Sequence, residues 1–135
     1  MHLLLRHLFV VAGVLVATQA MAQITFYEQN NFRGQSFSTQ KPINDFSRFG
    51  FNDRSSSAEV FSGRWEVCED SRFDGRCVVL RQGSYPSLAA MGLNNQVSSV
   101  RPINQNTRVD EHRYAPLPAA NAPDFRRRQN ERRGI

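Results

Sequence analysis

Asn52-Asp53-Arg54-Ser55-Ser56-Ser57 and Asn94-Asn95-Gln96-Val97-Ser98-Ser99 follow one pattern: Asn/Asp, Asn/Asp, two unrestricted positions, Ser, Ser. Each hexapeptide ends a longer repeat. Tyr27-Glu28-x-x-x-Phe32-x-Gly34 opens the first, and Cys68-Glu69-x-x-x-Phe73-x-Gly75 opens the second. The offset is 41 residues at Phe32/Phe73 and Gly34/Gly75, and 42 at Gly50/Gly92, Asn52/Asn94 and Ser56/Ser98, so one residue is inserted mid-repeat. A duplicated unit of this size reads as one supersecondary structure used twice.

Short β-type runs surround the hexapeptides. Ile24-Thr25-Phe26-Tyr27 and Trp65-Glu66-Val67-Cys68 each lead into a polar turn ending in glycine, and Gln35–Thr39 and Arg76–Leu80 are their partner strands. Gly34 and Gly75 stand where the turn calls for positive φ, which a Cβ resists. Lys41–Asp45 and Gln82–Pro86 read as loops, and Ser87–Met91 as a single helical turn. The hexapeptides run into final strands at Ser57–Phe61 and Ser99–Ile103. About four short strands per repeat, without a long helix, predict an all-β sandwich or barrel.

The first residues have another character. Arg6 and His7 precede the apolar run Leu8–Ala17, and Ala20-Met21-Ala22 is a small-x-small cleavage sequence. Residues 1–22 therefore read as a secretory signal peptide cut after Ala22, and the protein as secreted or periplasmic. The run is too short to span a bilayer, which takes about 20 apolar residues. Residues 23–103 form the expected domain, divided into repeats 23–62 and 63–103. There, nine Arg/Lys face eight Asp/Glu, whereas residues 104–135 carry seven Arg against four acids. Pro116, Pro118, Pro123 and the cluster Arg126-Arg127-Arg128 to Arg132-Arg133 show little apolar periodicity, so residues 104–135 read as a disordered, arginine-rich tail. Such a tail has two readings: a solubilising segment, or an electrostatic anchor for an anionic surface. Export makes nucleic acid an unexpected partner.

Export also bears on Cys68 and Cys77, the two cysteines of the chain. In an oxidising compartment an even count points to a disulfide, here across the two strands of the second hairpin. The alternative is two free thiols packed as small hydrophobes. No nucleophilic catalytic set forms, because His112 is the only histidine after residue 22. Glu66, Glu69, Asp70 and Asp74 cluster near one hairpin and read as a solvated acidic face. No enzymatic activity is expected.

Taken together, these residues resemble the microbial βγ-crystallin family. The aromatic-x4-aromatic-x-Gly opening, the Gly83-x-Tyr85-Pro86 segment of the tyrosine corner, and the paired hexapeptides are similar to that family's signatures over residues 23–103. Cys68 departs from them, standing where an aromatic residue is usual; a cystine to Cys77 would substitute for it. The resemblance implies two Greek-key motifs packed as a β-sandwich and two weak calcium sites. By that analogy the 52–56 loop pairs with the carbonyl of Glu69, and the 94–98 loop with that of Glu28. Ser56 and Ser98 would give hydroxyl oxygens, and Arg54 and Gln96 backbone carbonyls. Asn52, Asp53, Asn94 and Asn95 would supply or orient further oxygens. Calcium takes six to eight oxygen ligands, and sites poor in formal charge bind it at roughly micromolar to millimolar levels. The implied role is structural and stress-resistant, with calcium stabilising the domain. The alternative is an extracellular interaction protein on the same fold, a hydrolase inhibitor or a toxin-like protein.

Overall fold

A computed structural model describes residues 13, 21–93, 95–116 and 134. Seven strands lie in two antiparallel sheets. They are β1 (Gln23–Gln29), β2 (Arg33–Thr39), β3 (Ser57–Ser62), β4 (Arg64–Asp70), β5 (Asp74–Leu80), β6 (Gly83–Tyr85) and β7 (Ser99–Ile103). One sheet has the order β2-β1-β3-β6 and the other β5-β4-β7. No helix among the described residues is long and apolar enough to cross a membrane.

The two halves of the chain exchange strands. β6, from the second half, pairs with β3 of the first: Ala58 faces Tyr85 and Val60 faces Gly83. Reciprocally, Ile43 of the first half bridges Val100 of β7 through two backbone hydrogen bonds of 2.8 and 2.9 Å. Ala58 and Val100, like Ile43 and Tyr85, are equivalent positions of the repeat. Both stretches that read as loops therefore supply an edge pairing to the opposite sheet.

Alternation along the strands sends one face inward. Ile24, Phe26, Ala58 and Val60 from one sheet meet Trp65, Val67, Leu80 and Val100 from the other. Short 3-10 turns at Phe46–Phe49 and Leu88–Met91 close the sandwich, placing Phe46, Leu88 and Met91 in the core. Phe46 meets Phe26 edge-on at 5.3 Å between ring centroids. Aromatic pairs in this geometry contribute beyond their buried area. Tyr85 is buried, and its hydroxyl donates to the Arg81 carbonyl at 2.8 Å. Burial pushes its phenol from the ordinary 10.0 up to about 12.

Three expectations need correction. First, residues 104–116 are not a disordered tail. Residues 104–116 lie along the second sheet: Ala115 is buried in the core, and its amide donates to the Val79 carbonyl at 2.9 Å. Tyr114 bridges Val79 and takes a hydrogen bond from Arg64 at 2.7 Å. Arg64 also donates to the carbonyls of Asn104 and Thr107. This segment has no apolar periodicity because single side chains anchor it, and their partners lie far upstream. Second, Glu66 is not on a solvated face. It is buried, and its carboxylate takes Arg101 on one oxygen and Arg113 on the other. Third, Gln82–Pro86 is not all loop: Gly83–Tyr85 forms β6. The leader, up to Ala20 and apart from Gly13, and residues 117–133, which include the arginine cluster, lie outside the described residues.

Candidate metal centre

Each hairpin carries an irregularity where its candidate carbonyl stands. In the first hairpin the register runs Tyr27↔Ser36 and then Gln29↔Arg33, leaving Glu28 between the pairs. In the second it runs Cys68↔Cys77 and then Asp70↔Asp74, leaving Glu69 between them. A bulge takes one residue out of the ladder and re-aims it. Beyond each bulge the turn is strained: Asn31, Phe32, Arg72 and Phe73 all have φ between 58° and 63°. Gly34 and Gly75 follow at 83° and 73°, the positive φ the sequence calls for.

The last serine of each hexapeptide holds that turn. The Ser57 hydroxyl donates to the Gln29 carbonyl at 2.6 Å and accepts from the Phe32 amide at 3.0 Å. Ser99 does the same with Asp70 and Phe73, at 2.6 and 2.9 Å. This role was not legible from the pattern, which marks the serine without saying what it touches.

The two hexapeptide loops pack on each other as near-twofold equivalents. The Asp53 amide donates to the Val97 carbonyl at 3.3 Å, and the Asn95 amide to the Ser55 carbonyl at 3.0 Å. Asp53 and Asn95 both have left-handed backbones, with φ of 54° and 53°. Ser56 Oγ donates to Asn95 Oδ1, and Ser98 Oγ to Asp53 Oδ1, both at 3.3 Å. The Ser56 amide donates to the Tyr27 carbonyl at 2.8 Å, and the Ser98 amide to that of Cys68 at 2.9 Å.

Each loop is thereby divided between the hairpins. Ser56 is tied to the first hairpin at Tyr27, the neighbour of Glu28, while Asp53 reaches Ser98 of the other loop. Ser98 is tied to the second hairpin at Cys68, the neighbour of Glu69, while Asn95 reaches Ser56. Each serine thus bonds its own hairpin through its amide and the opposite loop through its hydroxyl. The hydrogen bonds thus place the Ser56–Asn95 pair next to the bulge at Glu28 and the Ser98–Asp53 pair next to the bulge at Glu69. The two serines are only 7% and 8% exposed, so their hydroxyls are fixed rather than solvated at random. Asn52 donates to Asp53 Oδ2 at 3.0 Å, which turns Oδ1 toward Ser98. Asn94 lies outside the described residues. Gln96 is exposed. The Arg54 side chain leaves the loop, ion-pairing with Glu28 and donating to the Gly50 carbonyl at 3.0 Å. Every donor in both groups is an oxygen, which fits a hard cation and not zinc or copper.

The hairpins differ at one pair. In the first, Tyr27 packs edge-on against Phe32 at 5.8 Å and donates to Glu59 at 2.9 Å. In the second, Cys68 is disulfide-bonded to Cys77. Phe73 is covered by the Arg101 guanidinium, 4.5 Å from the ring centroid. The lost aromatic is thus replaced by two features: the cystine and the stacked arginine.

Comparison with known proteins bears on this architecture. The family profile described as Beta/Gamma crystallin matches residues 23–103. The chain is 35% identical over 82 residues to a beta/gamma-crystallin of Ciona intestinalis, covering 60% of this chain and 98% of that protein. It is 37% identical over 83 residues to gamma-crystallin S of Oryctolagus cuniculus, covering 61% of this chain and 45% of the relative. It therefore spans about half the length of such vertebrate relatives. A solved βγ-crystallin from an archaeon superposes with a TM-score of 0.57 at 35% identity, covering 61% of this chain and 98% of that one. The match covers more than half of the chain, and the chain belongs to the beta/gamma crystallin family.

Proposed function

We propose that the protein is an exported calcium-binding domain of two Greek-key motifs, residues 23–62 and 63–103, whose metal ions staple the two halves together. One observation carries the reading: the reciprocal pairs Ser56–Asn95 and Ser98–Asp53 converge on hairpin bulges at Glu28 and Glu69. Each group joins a serine hydroxyl, a side-chain oxygen from the other loop and a displaced hairpin residue with its carbonyl. Arg54 and Gln96 supply further carbonyls, and water completes the shell. An ion in either group would bridge the two loops, so binding and folding are linked.

The two sites are unequal. Asp53 gives the second group a carboxylate. In the first, the Glu28 carboxylate is already paired with Arg54. Fewer formal charges weaken a calcium site, so the Ser98/Asp53 site is the tighter. The cystine accords with export into an oxidising compartment. The function is structural rather than catalytic. Calorimetric titration with calcium tests the reading: two weak binding events are expected, and Ser56→Ala and Ser98→Ala each remove or weaken a different one. Absence of calcium heat at millimolar metal, with a melting temperature indifferent to chelator, would refute it.

A further inference from the structure

We propose that the Cys68–Cys77 cystine sets the calcium affinity of one site only, the one formed by Glu69, Ser98 and Asp53; this rests on the calcium reading above. Cys68 and Cys77 are the last regular pair before the bulge that displaces Glu69, and the ladder resumes at Asp70↔Asp74. The cystine therefore ties the two strands together one residue from the displaced carbonyl. The same residue, Cys68, accepts the Ser98 amide at 2.9 Å through its own carbonyl. One covalent link thus fixes both Glu69 and Ser98, and Ser98 in turn meets Asp53.

The first half supplies an internal control. There the equivalent pair is Tyr27↔Ser36, and no sulfur is involved. Tyr27 is held by its ring on Phe32 and its hydroxyl on Glu59. The second half has neither anchor: Cys68 has no ring, and Arg101 stands at the repeat position of Glu59 and turns to Glu66. Without the disulfide the second turn keeps the Ser99 clamp and the Arg101 stack on Phe73, but among the described residues it loses the side-chain tie at the Cys68 position that Tyr27 gives the first. The cystine is therefore a positioning element for one metal site, and a thiol reductant that opens it lowers that site's affinity while leaving the other unchanged.

The chemistry is ordinary thiol–disulfide exchange. Cys68 is fully buried and Cys77 partly exposed, so a dithiol's thiolate attacks the Cys77 sulfur. The S–S bond breaks, and Cys68 leaves as a thiolate and takes a proton. The second thiol of the reagent then displaces Cys77 and closes the reagent into its own cyclic disulfide. Two electrons pass from reagent to protein.

The test is calcium calorimetry on the full chain, oxidised and after reduction by excess dithiol, in two backgrounds that isolate the sites. In Ser56→Ala the remaining tight site is Ser98/Asp53, and reduction should raise its Kd about tenfold, as loss of a supporting partner does around metal ligands. In Ser98→Ala the remaining site is Ser56/Asn95, and reduction should not move it. The Cys68→Ala/Cys77→Ala exchange in both backgrounds should reproduce the effect without reductant. Equal weakening of both sites, including loss of both through unfolding, would show the bond to be merely structural and overturn the proposal. So would no change at either site. If the oxidised wild type binds no calcium, the calcium reading itself fails and the proposal falls with it.

Discussion

A single hydroxyl, on Ser57 or Ser99, joins two backbone groups of a strained hairpin turn. Removing it takes the serine partner from the Phe32 or Phe73 amide and loosens a turn with two left-handed residues. Ser57→Ala and Ser99→Ala should each cost about 1–3 kcal/mol, the penalty of an abandoned hydrogen-bond partner, and urea unfolding measures this. Unchanged midpoints would mean that water replaces the hydroxyl freely. Ser55 poses the opposite case. It is fully buried, occupies the repeat position of Val97, and its Oγ has no hydrogen-bond partner among the described residues. Burying an unpaired hydroxyl is unfavourable, so Ser55→Ala should leave the urea midpoint unchanged or raise it. A loss above about 1 kcal/mol would show that Ser55 has a partner not visible in its surroundings. At this scale the sequence shows which residues recur but not what they hold. Ser56 and Ser57 are adjacent and chemically identical, and only the hairpin geometry separates a candidate ligand from a clamp.

The hairpins were the most legible elements, because aromatic, polar and glycine positions recur at a fixed offset in both. β6 and the Ile43 bridge were not. Gln82–Pro86 has two turn formers and too few residues for an alternating pattern, and a strand this short is defined by the partner it pairs with. The 104–116 segment was hidden for a related reason: its order comes from Arg64, Glu66 and Arg81, residues of the second repeat that lie far upstream. Arg81 stacks on Tyr114 at 3.6 Å and pairs with Glu111, so both ends of the anchor are polar or aromatic. A chain ending at Ile103 loses Arg113 from Glu66 and Ala115 from the core. It should melt lower, by about 4–8 °C for each kcal/mol lost, whereas a chain ending at Pro116 should match the full chain. Equal melting of the two would show the segment to be a passive covering. Tyr85 gives this scale its pH dependence. Its phenol sits near 12 when folded and near 10.0 when free, so the stability held in keeping it neutral is complete below pH 10.0 and is lost as pH rises toward 12. Tyr85→Phe should flatten that alkaline decline in denaturant midpoint. A variant whose midpoint falls as steeply as the wild type would assign the decline to other groups.

On the scale of the molecule, the two halves already exchange strands and interlace their hexapeptide loops. The proposed ions add a third tie at one end of the sandwich. The family, the sheets and the position of the loops were all legible from one repeat read twice. The division of each loop between hairpins was not, since it depends on the loops packing head to tail. At a free calcium level of 100 times the Kd, one site stabilises the folded state by about 2.7 kcal/mol if the unfolded chain does not bind. In a domain of this size that corresponds to roughly 10 °C or more in Tm. The most direct measurement is therefore the melting temperature of the wild type, Ser56→Ala and Ser98→Ala, each with saturating calcium and with chelator. A large calcium-dependent rise is expected in the wild type, a smaller one in each single variant, and none in the double variant. A wild-type Tm that stays within about a degree across the two conditions, or a rise that survives loss of both serines, would contradict the calcium reading.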